Sequence, residues 1–84
     1  MTQALEDLPN IGKVLAHRLR TAGVTSPAQL LRLGDVAAFR KIRQDLPEDA
    51  CIHTRLALAG AVRGVRWHSL DAGLRARLKE EAHA

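Results

Sequence analysis

An all-α fold, a small bundle of five or six short helices, is what this chain predicts, and three observations carry the prediction. Leu and Ala dominate an apolar content of 46%, with Phe39 and Trp67 as the aromatic residues, and both Leu and Ala favour helix. Apolar residues recur at three- and four-residue steps in segment after segment, the spacing of one helix face. β-branched residues are few, and no alternating run reads as a strand. With 84 residues there is room for one small domain, residues 1–84, and a modest core.

In chain order, residues 2–7 predict a short first helix with Leu5 and Leu8 on one side. It stops before Pro9, because the residue preceding a proline is pushed out of the α region. Ile11, Val14, Leu15, Leu19 and Ala22 form the apolar stripe of a second helix, residues 11–22, whose other side carries Lys13, His17, Arg18, Arg20 and Thr21. Gly23 suits its C-terminal side. Ser26-Pro27-Ala28-Gln29 starts a third helix as N-cap, first-turn proline and capping box. Leu30, Leu31 and Leu33 are its apolar residues, and Gly34 ends it. Asp35 is expected to cap a fourth helix with Val36, Phe39 and Ile42 inward and Arg40, Lys41 and Arg43 outward.

Residues 46–49 read as a loop, with Asp49 capping the next helix. That fifth helix, residues 50–64, is apolar over most of its surface and is expected to lie at the centre. Gly60 and Gly64 would leave a strip of bare backbone on it for another helix to approach. Ser69 or Asp71 starts a last helix, with Leu70, Leu74 and Leu78 inward and Arg75, Arg77 and Lys79 outward; residues 79–84 are expected to fray.

The stretch Leu8-Pro9-Asn10-Ile11-Gly12-Lys13 organises the rest. Pro9 fixes φ, Asn10 tolerates left-handed angles and Gly12 permits a tight turn. Leu8 and Ile11 can seat one helix on another, while the amides opening the next helix are an anion site in waiting. With Leu15, Leu19 and Gly23 after it, the stretch resembles the helix-hairpin-helix motif, with Asn10 in place of the motif's first glycine. The resemblance implies a SAM-like bundle around one such unit, and backbone contact with DNA phosphates that reads no sequence. The implied contacts are the amides near Asn10, Gly12 and Lys13 and the Lys13 side chain, with His17 and Arg20 on the exposed face. No second Leu-Pro-x-Ile-Gly occurs, and Glu6 and Asp7 set negative charge beside the site. The competing reading is a hairpin that merely joins two helices.

A resemblance over nearly the whole chain is more specific. The hairpin, then Leu19, Ala22-Gly23-Val24-Thr25, Leu30, Leu33-Gly34, Phe39, Ile42 and Arg43, then Cys51, Leu56, Leu58, Ala61 and Gly64-Val65-Arg66-Trp67-His68 look like the C-terminal domain of the TfoX/Sxy competence regulators. Asparagine in the hairpin is normal for that family. The resemblance implies an all-helical domain linked to natural competence and DNA uptake through control of transcription, without enzymatic chemistry. Full-length members place another domain before this one; the present chain opens almost at the hairpin and is expected to be a stand-alone relative.

Other chemistry finds no pattern. His17, His53, His68 and His83 lack metal-ligand spacing, and Cys51 and His53 fall on different sides of a helix. A single cysteine allows no internal disulfide, and no apolar run reaches membrane length, so the expected location is the cytoplasm. Cys51 reads as a small core residue. Trp67 is expected to plug the core between the last two helices, its indole N–H on a backbone carbonyl, against the competing reading of a contact for a base or a partner protein. The sequence thus predicts a non-enzymatic module without metal or cofactor that meets DNA weakly and without sequence preference; a net charge of +4 permits this. The alternative is a protein–protein interaction domain with a purely structural hairpin.

Overall fold

The computed structural model describes residues 4–83, and over them it is all-helical. Five α-helices occur in order: α1 (Lys13–Thr21), α2 (Pro27–Leu33), α3 (Asp35–Ile42), α4 (Cys51–Arg63) and α5 (Ala72–His83). Single 3-10 turns at Leu5–Asp7, Arg43–Asp45, Glu48–Ala50 and Trp67–Ser69 link them. The predicted first helix contracts to the Leu5–Asp7 turn, and Thr2 and Gln3 lie outside the described residues.

The most apolar helix is the central one. α4 is buried without a break from residue 54 to residue 61, and it packs on α3 and α5. The main core gathers Leu5, Ile11, Ala16, Leu19, Leu30, Phe39, Ile42 and Leu58. A smaller cluster of Leu56, Ala59, Leu70 and Leu78 lies between α4 and α5, with Trp67 at its edge.

Local signals hold where a side chain has one partner to find. Ser26 Oγ accepts from the Gln29 amide at 3.2 Å, while Gln29 Oε1 accepts from the Thr25 amide at 2.7 Å, one residue beyond the N-cap that the usual box reaches. Asp71 Oδ2 accepts from the Gly73 and Leu74 amides and caps α5. Gly34, at φ 89°, closes α2 and is also the residue from which α3 starts, a conformation that suits glycine.

Several expectations are corrected. Val14 is 69% exposed and Val36 44%. Ile11 sits in the hairpin, ahead of α1, so its burial carries no implication for the residue three further on, and Ala16 takes the inward place instead. In α3 it is Ala38 that turns inward with Phe39 and Ile42. Residues 46–49 are not all loop, since Glu48 and Asp49 begin a 3-10 turn. Asp49 caps nothing: the residue before α4 is Ala50, with no side-chain cap. The end of α5 does not fray through its described length, because Ala82 is 2% exposed against the main core. Ala84 lies outside the described residues.

Asp35 is not the cap of α3 but its first residue, and its carboxylate has another task. Arg55, 3% exposed on α4, donates from Nη1 to Asp35 Oδ2 at 2.6 Å. Its Nη2 lies 3.5 Å from Glu81 of α5, and its guanidinium 6.0 Å from the Phe39 ring centre. Arg63 approaches the same Asp35 oxygen at 3.7 Å. Burial alone would raise the Asp35 carboxyl, but the Arg55 hydrogen bond and charge, helped by Arg63, outweigh it and hold it below the usual carboxylate range. This network ties α3, α4 and α5 together, with Arg55 buried at its centre and Glu81 and Arg63 at its exposed edge.

A buried cation without its partner is costly. Asp35→Asn is therefore expected to lower stability by about 3 kcal/mol, a fall of about 15 °C in the melting temperature of a domain this size. Thermal melts followed by circular dichroism would show it. An unchanged melting temperature would mean that Glu81 alone suffices for Arg55.

Candidate nucleic-acid interface

The site begins with a turn that only a few residue types can make. Asn10 has φ 70°, the one non-glycine residue with positive φ among the described residues. Its side chain points into the molecule. Asn10 Nδ2 donates to Val65 O at 2.9 Å and to Ala57 O at 3.4 Å, and Oδ1 accepts from the Trp67 amide at 3.0 Å. One amide group thus joins the hairpin to α4 and to the segment that leaves it. Gly60 makes the approach possible. A Cβ there would lie 2.5 Å from Asn10 Nδ2 and 2.6 Å from Val65 O. The bare strip expected at Gly60 is therefore filled by Asn10 and the turn after α4, not by another helix.

Beyond the clasp the chain opens outward. Gly12 is exposed and extended, at φ −96° and ψ −171°, and no side chain caps α1 from this position. The first amides of any α-helix lack intrahelical acceptors, and they carry the positive end of its dipole. Lys13, His17 and Arg20 are all exposed, and their spacing puts them along one side of α1.

Charge on that side is partly balanced. Arg20 donates to Glu6 through both terminal guanidinium nitrogens, Nη1 at 3.0 Å and Nη2 at 2.5 Å. The Arg20 hydrogen bonds hold the Glu6 carboxyl at about 2, well below its ordinary 4.5. Asp7 Oδ2 accepts from the Ala4 amide at 2.9 Å.

The structure therefore brings Gly12, Lys13 and His17 together on an open surface, with Arg20 beside them in an ion pair and the Asn10 side chain turned away. Two of the basic groups on α3 and α5 border other grooves. Lys41 borders a groove with Gly23 and Arg32, and Arg77 borders one with Asp35, Arg55 and Glu80; Lys13 lines neither. The cleft beside the hairpin holds about 630 Å³, and Arg66, Trp67 and His53 face the hairpin residues across it. Trp67 is half-buried, not a full plug. Its hydrogen bond to Asn10 comes from the backbone N–H, and its ring lies edge-on to His53 at 5.8 Å and to His68 at 5.5 Å.

Sequence reasoning misses two residues here. His53 suggests only a metal or catalytic partner in the sequence, though its position one helical turn before Ala57 places it under the hairpin. Arg55 belongs to no motif, yet an arginine inside the most apolar helix demands a buried counter-charge. Among the described residues, no group of three or more His, Cys, Asp or Glu side chains could hold a metal ion. Cys51 is half-buried at the start of α4, its thiol 3.6 Å from Pro47 O.

The TfoX C-terminal domain family matches residues 1–82 of the chain. The chain belongs to this family. A curated relative, the DNA transformation protein TfoX1 of Aliivibrio fischeri (strain ATCC 700601 / ES114), is 33% identical over 67 residues. Those residues are 80% of this chain and 32% of that protein, so the chain spans about a third of the length of the curated relative it matches. Two crystal forms of an uncharacterized Listeria monocytogenes protein share the fold at 40% identity. The triclinic form gives a TM-score of 0.87, covering 96% of this chain and 91% of that one. The tetragonal form gives 0.84, covering 94% and 95%. The TfoX C-terminal domain is thus an all-helical bundle here, with Asn10 of the hairpin acting as an internal clasp. No described helix is long and apolar enough to cross a membrane.

Two outcomes test the geometry of this TfoX C-terminal domain. Glycine is the better residue at φ 70°, so Asn10→Gly would be harmless if only the turn mattered. The clasp instead predicts a loss of about 1–3 kcal/mol by urea unfolding, with Asn10→Ala at least as severe. The Glu6 pair has a pH signature. Folding favours the ionised carboxylate, so its contribution is complete above pH 4.5 and disappears as the pH falls toward about 2. Arg20→Gln should be less stable than the parent at pH 6 and match it near the acid end, and a difference independent of pH would argue against the pair.

Proposed function

We propose that this domain, a single unit over residues 1–84, is a non-enzymatic module that holds nucleic-acid phosphate at the start of α1. The role it serves is competence-linked control of transcription in the cytoplasm. One observation carries the reading: the uncapped end of α1 at Gly12 is exposed, with Lys13 and His17 along the same open side. Amides at a helix start favour an anion, and a lysine beside them adds attraction that salt weakens. Such contacts position a backbone and carry no base information. The relative's name, DNA transformation protein, agrees with nucleic acid as the partner. Arg20 assists only by exchanging Glu6 for phosphate.

A second reading has its own observation. Val14 stands 69% exposed at the edge of an apolar groove with Leu15, Leu46 and Ala50, and Lys13 and Arg18 flank it. A protein partner with an apolar anchor and acidic flanks would suit that groove. Sedimentation of the domain with such a partner, and its loss on Val14→Glu, would favour this reading.

The deciding experiment titrates a labelled DNA duplex at several salt concentrations. Binding should weaken steeply with salt and be equal across sequences. Lys13→Glu should lower affinity about tenfold and the log–log salt slope by about 1. Glu6→Gln, which frees the Arg20 guanidinium, should tighten binding. Affinity indifferent to Lys13→Glu would remove α1 as the anion site.

A further inference from the structure

We infer that the cleft between the hairpin and the Trp67 turn is a nucleobase site, so that the strand held at Gly12 and Lys13 is single-stranded. The inference rests on the phosphate reading of α1 and adds the state of the nucleic acid and the seat of its base.

The cleft, of about 630 Å³, falls within the size range of small-ligand pockets. Gly12 lines it and also opens α1, so a phosphate at the helix start has a neighbouring base at the cleft mouth. Inside are the two rings of His53 and Trp67, 5.8 Å apart and nearly perpendicular. Aromatic rings take up unpaired bases whatever their sequence, and here they stand among Arg66, Glu6 and Asp7 of the same lining. Arg66 lines the same cleft and is exposed, which offers a cation to the next phosphate. A base paired and stacked inside a duplex cannot reach such a cleft without being extruded.

The acidic residues set the direction of entry. Glu6 is neutralised by Arg20, and Asp7 has one oxygen on the Ala4 amide. The remaining Asp7 oxygen would repel a phosphate but accept from an exocyclic amino group. The base therefore faces Asp7, and the phosphates face Gly12 and Arg66. Cytosine, with its amino group, fits this better than thymine, which offers a carbonyl in its place.

Trp67 is the single tryptophan of the chain, so its emission reports on this cleft. Short oligo(dC), oligo(dT) and a blunt duplex would be titrated into the protein at low salt. Oligo(dC) should quench Trp67 and bind more tightly than oligo(dT) or the duplex. His53→Ala changes an exposed side chain and should weaken oligo(dC) about tenfold and the duplex far less. Should oligo(dC) and duplex bind alike, without quenching and without response to His53→Ala, the base site is wrong and the phosphate reading stands. No binding of any of the three overturns both. Quenching by oligo(dC) that survives Lys13→Glu keeps the base site and removes α1 as the phosphate site.

Discussion

The Asn10 carboxamide is the contact on which the other features of this domain turn. A left-handed residue at a hairpin is ordinarily glycine, because glycine meets no steric penalty there. Here the chain accepts an asparagine and gains three hydrogen bonds that glycine could not make, to Val65, Ala57 and Trp67. Gly60 supplies the complementary omission, a missing Cβ where Asn10 and Val65 approach. The two residues are one device. It fixes the direction in which α1 leaves the hairpin, and so decides that Gly12 and Lys13 face outward.

A second device works independently of the first. Arg55 draws together Asp35 and Glu81, so the α3–α4–α5 side of the molecule is joined by charge as well as by Phe39, Leu56 and Leu78. The hairpin side is joined chiefly by the neutral Asn10 hydrogen bonds, with the exposed Glu6–Arg20 pair beside them. Salt and pH therefore act unequally on the two sides. Acid weakens the Asp35 network and the Glu6–Arg20 pair, and leaves the Asn10 clasp, which has no titrating group, in place.

Much of the fold is readable in the sequence because its signals are local. The Ser26 cap, the start at Pro27, the Asp71 cap and the central apolar helix each depend on neighbours within a turn or two. The features that escape such a reading depend on contacts between distant segments. Val14 and Val36 carry the right apolarity at the right spacing, but which side of a helix meets the core is decided by the turn that aims it. Asp35 has an ideal residue type for a cap, and the buried Arg55 claims it instead. The open residues of the site, Gly12, Lys13 and His17, are legible from the hairpin pattern. The pairing of Arg20 with Glu6 and the inward turn of Asn10 are not, since each involves a partner far along the chain or across a turn.

The clasp also has a consequence for assembly. Asn10 finds its partners at Val65 and Trp67, 55 and 57 residues later. Closing so long a loop costs entropy before any contact repays it. During synthesis the hairpin leaves the ribosome long before the segment that shapes it, so α1 can form early while its exit angle waits for the chain to pass Trp67. A fragment ending before that residue would keep the residues of the proposed interface and lack the geometry that presents them.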